Sequence, residues 1–179
     1  MVAIVVALFL FAGEFFPVGI DYFQPFRPIA VDLLNGDTAL YDEGGHGYYN
    51  PPWGVILALP TVLLPVRYGQ AAFTVVTLNA LILGIRVFTS ASMLVTFLGV
   101  ANLYVVALVT GGNVDGFVLL GLVLAVWAVK RKRPWVLGWG FWLMSVKPIN
   151  VILPGLVLVW LTWDWSWKDK AIYTVPTLA

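Results

Sequence analysis

From Trp53 to Trp163 the chain is a succession of apolar blocks, interrupted by charge only at Arg67, Arg86, Asp115, the run Lys130-Arg131-Lys132-Arg133, and Lys147. Backbone N–H and C=O groups in hydrocarbon have no water to bond, so stretches of this kind fold as helices whose hydrogen bonds close within the segment. Hydrophobic residues make up 61% of the 179 and charged ones 11%, with a mean hydropathy of +0.92, against about 25% charged in an ordinary soluble domain. A soluble globular protein is thereby excluded, and an integral membrane protein is expected. The net charge of +1 excludes the basic excess of a nucleic-acid binder. The absence of Cys excludes disulfides, thiolate chemistry and cysteine metal sites, and a single histidine, His46, excludes a histidine metal cluster.

The N-terminal run Met1 to Gly13 has no basic region before it and no small-residue cleavage site after it, so a retained first helix over residues 1–20 is expected rather than a cleaved signal peptide. Residues 21–66 form the one long loop, which collects Asp21, Asp32, Asp37, Asp42, Glu43 and His46 around Arg27. Within it Pro28 opens an amphipathic stretch carrying Ile29, Ala30, Leu33 and Leu34, and Asn35-Gly36 marks its stop, which predicts a helix on the membrane surface. The block Trp53 to Val66 holds Pro60 and Pro65, poor residues for a spanning interior, and reads as re-entrant or interfacial. The blocks Gly69 to Ile85, Phe88 to Thr110, Val114 to Val129, Trp135 to Val146 and Ile149 to Trp163 supply a helical bundle over residues 67–163. With the first helix this predicts an all-α polytopic membrane protein of about six transmembrane helices. Residues 164–179 are expected to be a cytoplasmic segment that opens a further helix at Ala171.

Four consecutive bases, Lys130 to Arg133, stay cytoplasmic by the positive-inside rule. Counting helices outward from them puts Arg67, the Gly111-Gly112-Asn113-Val114-Asp115 turn and Lys147 outside the cytoplasm and Lys168 and Lys170 inside; with Trp53 to Val66 re-entrant the acidic loop is outside as well, and it would be cytoplasmic if that block spanned. Trp160, Trp163, Trp165 and Trp167 read as an interfacial aromatic belt. A helix-end Arg or Lys ordinarily snorkels to head groups. Lys147, however, lies between two short apolar blocks, is followed by Pro148 and has no nearby acid in sequence, so it calls for an anion such as a lipid phosphate. Asp42-Glu43 reads as a solvated turn, and no metal site is expected.

Gly19-Ile20-Asp21-Tyr22-Phe23, Leu34-Asn35-Gly36, Leu40-Tyr41, Tyr48-Tyr49-Asn50-Pro51-Pro52, Pro60 and Leu64-Pro65, followed by Gly112-Asn113, the basic loop and Lys147-Pro148, resemble in order and spacing the pattern of glycosyltransferase family 87. These are membrane enzymes of the GT-C type, and the resemblance implies that helical-bundle fold. It implies transfer of a hexose, mannose first, from a polyprenyl-phosphate donor to the hydroxyl of an extracytoplasmic glycolipid or glycan. The displacement inverts the anomeric carbon and uses no cofactor. Asp21, just after the first helix, matches the family's acidic residue and is the expected catalytic base. Arg67, Lys147, His46 and Asn113 are the expected donor-phosphate ligands. Tyr48, Tyr49, Asn50 and Asp115 are expected to contact sugar or acceptor, although an aromatic belt explains the tyrosines equally well. The implied location is the plasma membrane, multi-pass, with the catalytic loop extracytoplasmic. At about half the length usual for such enzymes, the chain is expected to be an N-terminal portion. The alternative is a non-enzymatic membrane protein that binds or flips a polyprenyl phosphate, or a transporter fragment.

Overall fold

The computed structural model describes residues 2–36, 48–89 and 92–178, and among them every regular element is helical. Helix α1 spans Val2–Phe15. A π-helical segment, Tyr22–Phe26, runs directly into α2, Arg27–Leu34. Two 3₁₀ helices, Pro52–Leu57 and Leu59–Leu63, precede α3, Val66–Thr89. Then come α4, Met93–Val100, α5, Leu103–Gly111, α6, Asp115–Arg131, and α7, Pro134–Ser145. A short 3₁₀ turn, Pro148–Asn150, leads to α8, Ile152–Leu161, and α9, Trp167–Thr177.

Among the described residues α3 alone is a single helix long and apolar enough to cross a membrane: 24 residues of mean hydropathy 1.9. At 1.5 Å per residue it measures about 36 Å, against about 30 Å of hydrocarbon. The other apolar blocks give shorter helices than the six-span expectation assumes. The block Phe88 to Thr110 is split into α4 and α5, because Asn102 takes an extended conformation and its side chain accepts the Val105 N–H at 3.1 Å, capping a new helix. The proline-rich block Trp53 to Val66 forms 3₁₀ turns and no continuous α-helix, as its prolines dictate.

Contacts divide the chain into two compact units, Met1–Leu78 with Ala101–Val114, and Asn79–Val100 with Asp115–Ala179. In the first, α2 stands where the amphipathic pattern places it, burying Ile29 and Ala30 and ending at Asn35. The π turn ahead of it has a local cause. Pro25 offers no N–H and its ring crowds the turn before it, so the backbone widens until Arg27 N–H donates to Tyr22 O. Tyr22 and Phe26 thereby enter the core, where Tyr22 meets Phe73 edge-on at 5.2 Å and Phe26 meets Tyr48 at 5.7 Å. The Tyr22 hydroxyl lies 2.8 Å from Thr61 Oγ1, which gives its own proton to Ala58 O at 2.6 Å, so Tyr22 is the donor. Helix α3 turns its polar residues inward: Gln70, Thr74 and Thr77, at helical spacing, are all buried.

In the second unit α6 and α7 form an antiparallel hairpin through Lys132, whose φ of +50° makes the turn. The two helices touch backbone to backbone: a Cβ on Gly121 would lie 2.7 Å from Gly140 O, and one on Gly140 2.9 Å from Ala125 N. Such small-residue seams bring helices together where lipid removes the hydrophobic drive for association. Helix α9 starts at Trp167, earlier than the expected Ala171, capped by Ser166, which accepts the Asp169 N–H at 3.1 Å. Trp165 corrects the belt reading. It is 9% exposed and packs with Ala128, Leu137 and Leu158 in the core, whereas Trp160, Trp163 and Trp167 are exposed.

Candidate functional site

Asp21 stands at the start of the helical run, immediately before Tyr22, and is half-buried. Its Oδ2 accepts a hydrogen bond of 2.9 Å from the Asn113 side-chain amide, 92 residues further along the chain. The contact is built by close backbone approach. Gly19 lies so tightly against the Thr110 and Gly111 carbonyls that any side chain there would collide with them. Gly112 takes the left-handed conformation, φ +69°, closing α5 and aiming Asn113 back toward Asp21; a Cβ on it would meet Tyr22 Cβ at 2.6 Å.

Gln70, one turn into α3 and 2% exposed, holds both strands of this arrangement. Its Oε1 accepts the Gly19 N–H at 2.5 Å, and its Nε2 donates to Pro17 O at 3.1 Å and to Thr110 O at 3.0 Å. All its amide protons are used. One turn on, Thr74 Oγ1 donates to Val109 O at 3.2 Å. The carboxylate is legible in the sequence, whereas Gln70 is absent from the residues expected there. The signal that points to it is the polar stripe Gln70, Thr74, Thr77 in an otherwise apolar block.

The second polar cluster belongs to the other unit. Lys147 follows α7, and Asp115 sits in the first turn of α6, where a carboxylate also complements the helix dipole. Lys147 Nζ donates to Asp115 Oδ1 at 2.8 Å, with the side chains 28% and 27% exposed. The antiparallel hairpin therefore brings together the two residues that topology counting puts on one side, and puts the Lys130–Arg133 run at its other end. The anion beside Lys147 is thus a carboxylate 32 residues away in the same chain, out of reach of any search for an acid adjacent in sequence.

The remaining expected residues separate. Arg67 opens α3 and is exposed, with no ion pair among the described residues. Tyr48 is 4% exposed, its ring against Phe26 and its hydroxyl on Pro51 O at 2.8 Å, so it is a core residue rather than an open sugar platform. Tyr49 next to it is 91% exposed and Asn50 is half-buried. His46, with Asp37, Asp42 and Glu43, lies outside the described residues. Among the described residues no group of acidic or histidine side chains is arranged to hold a metal ion. An open groove of about 740 Å³ lies along α2, lined by Phe23, Gln24, Arg27, Val31, Asp32 and Val66.

Neither a curated protein nor a solved structure matches the chain significantly. A family model, glycosyltransferase family 87, matches residues 48–179, a span that contains Asn113, Asp115, Lys147, Arg67 and Gln70 and begins after Asp21 and His46. That match runs through α3 to α9 with their basic loop and the Lys147-Pro148 turn, and on it the chain belongs to glycosyltransferase family 87.

Proposed function

We propose that the chain moves a hexose, mannose first, from a polyprenyl phosphate to the hydroxyl of an extracytoplasmic glycolipid or glycan, with Asp21 as the base. The observation that carries this reading is the Asp21 carboxylate held by the Asn113 amide at 2.9 Å. One oxygen is occupied by a fixed donor, which orients the other to take a proton from an incoming hydroxyl. In the transfer the acceptor oxygen attacks the anomeric carbon, its proton passes to Asp21, and the bond from that carbon to the phosphate oxygen breaks. Polyprenyl phosphate leaves with the bonding electrons, and the anomeric configuration inverts.

Lys147 is the cation assigned to the leaving phosphate. It carries Asp115 as counter-ion, so a phosphate competes with that carboxylate for the ammonium. Arg67 is assigned to the same phosphate chemistry by position in sequence alone. The protein is placed in the plasma membrane, multi-pass, with about six crossings and the loop around Asp21 outside. What supports this is the family, the span α3, and the opposite ends of the α6–α7 hairpin taken by the basic run and the Asp115–Lys147 pair. The many exposed apolar side chains of α8, Leu153, Leu156 and Trp160 among them, suit a lipid surround.

The test is incubation of membranes containing the chain with labelled polyprenyl-phosphate mannose and glycolipid acceptors. The expected result is labelled glycolipid with inverted anomeric configuration and release of polyprenyl phosphate. Donor binding without turnover would support the non-enzymatic carrier reading instead, and neither binding nor transfer would remove both.

A further inference from the structure

We propose that Gln70 is the positioning residue of this site: its buried amide sets the Asp21 carboxylate against Asn113. The inference deepens the reading of Asp21 as base and rests on it. Asp21 and Asn113 come from distant parts of the chain and share one hydrogen bond of 2.9 Å. One half-buried contact of this kind does not order two segments, since fixing each backbone residue costs about 1–2 kcal/mol. The order comes from behind. Gln70 binds the segment before Asp21 through Gly19 N–H and Pro17 O, and the segment before Asn113 through Thr110 O. On each segment Gln70 holds an attachment point within three residues of the group it carries, Gly19 for Asp21 and Thr110 for Asn113.

The geometry leaves no substitute for that amide. A side chain at this position must offer one acceptor and two donors in one plane, which among neutral residues of this length only glutamine does. Asn is one carbon shorter, and Glu keeps the acceptor for Gly19 N–H while losing the pair of N–H donors. The two glycines match this arrangement: Gly19 allows the carbonyls of Thr110 and Gly111 to come close, and a Cβ on Gly112 would meet Gln70 Cδ at 3.3 Å. A buried amide that served only its own helix would bond within that helix; this one directs all three bonds to the two segments that carry Asp21 and Asn113.

The experiment compares Gln70→Leu and Gln70→Glu with Thr74→Val in the full chain, reconstituted in detergent micelles. Thr74→Val removes a buried α3-to-α5 hydrogen bond one turn away and leaves the segment before Asp21 untouched. The first readout is the side-chain amide resonance of ¹⁵N-labelled Asn113, with Asp21→Ala marking its position without the Asp21 bond. The second is transfer from labelled polyprenyl-phosphate mannose. Gln70→Leu is expected to move the Asn113 resonance to the Asp21→Ala position and to lower kcat on the order of 100-fold with the donor KM little changed. Gln70→Glu, which sets a carboxylate against the Pro17 and Thr110 carbonyls, shifts both at least as far, and Thr74→Val leaves the resonance in place with kcat within about twofold. An unmoved resonance in Gln70→Leu overturns the proposal, as does an equal shift in Thr74→Val or loss of helical circular dichroism in both Gln70 variants. If the wild-type chain transfers no sugar while the resonances behave as expected, the reading of Asp21 as base fails and the positioning role stands.

Discussion

Gly112 and Gly36 both have positive φ, +69° and +88°, yet they stand in different surroundings. Among the described residues nothing lies within 4 Å of a Cβ added at Gly36, while at Gly112 that atom would press on Tyr22 and Gln70. Gly36→Ala therefore meets only the left-handed strain, about 1–2 kcal/mol. Gly112→Ala meets that strain and a clash close to the backbone, and is expected to cost at least about 1 kcal/mol more. Thermal unfolding of the two variants in one detergent measures the difference, and equal losses would contradict the packing described for the Asp21–Asn113 contact. Lys147 makes the opposite prediction. Its pair with Asp115 is more than a quarter exposed on both sides, and such pairs contribute about 0–1 kcal/mol, so Lys147→Ala is expected to leave the melting temperature nearly unchanged. On the proposed assignment its effect falls on ligand binding. Lys147→Ala is expected to weaken binding of polyprenyl phosphate, and Asp115→Asn, by removing the competing carboxylate, to strengthen it; isothermal titration decides, and tighter binding by the wild type than by Asp115→Asn would oppose the assignment.

At the level of elements, the seam between α6 and α7 predicts where the chain tolerates least. A leucine at Gly121 would have to displace the Gly140 carbonyl and the Met144 N–H, both backbone groups, so Gly121→Leu is expected to destabilise the hairpin by about 3 kcal/mol or more. Loss of cooperative unfolding by circular dichroism checks it, and a variant as stable as wild type would mean the helices do not meet there. Helix α2 is legible in the amino-acid sequence, because its proline, its apolar pair and its Asn-Gly stop act within a turn or two of one another. So is the refusal of Trp53 to Val66 to form a long helix. The break at Asn102 is not, since an asparagine inside a 23-residue apolar block gives no hint from periodicity that its side chain will cap a new helix. The belt expectation fails at Trp165 for a related reason: its tryptophan neighbours are exposed, and only the packing of α7 and α9 decides which one turns inward. Asp21 and Asn113 come together through the close approach of Gly19 and Gly112, far apart in sequence, which no local pattern encodes.

Over the whole molecule the scarcity of charge has a consistent pattern. The basic run holds one end of the α6–α7 hairpin and Asp115 with Lys147 the other, while Asp21 is met by a neutral amide. A chain with so few charged groups has few candidates for a base, and the proposed one is Asp21. Replacing it by asparagine keeps the size and the hydrogen-bonding edge but removes the base. The decisive measurement is therefore release of polyprenyl phosphate from labelled polyprenyl-phosphate mannose by membranes carrying wild type or Asp21→Asn at matched protein levels. Release by the wild type is expected, with a loss on the order of 100-fold or more in Asp21→Asn and donor binding retained; undiminished release by Asp21→Asn would contradict the assignment of Asp21 as the base.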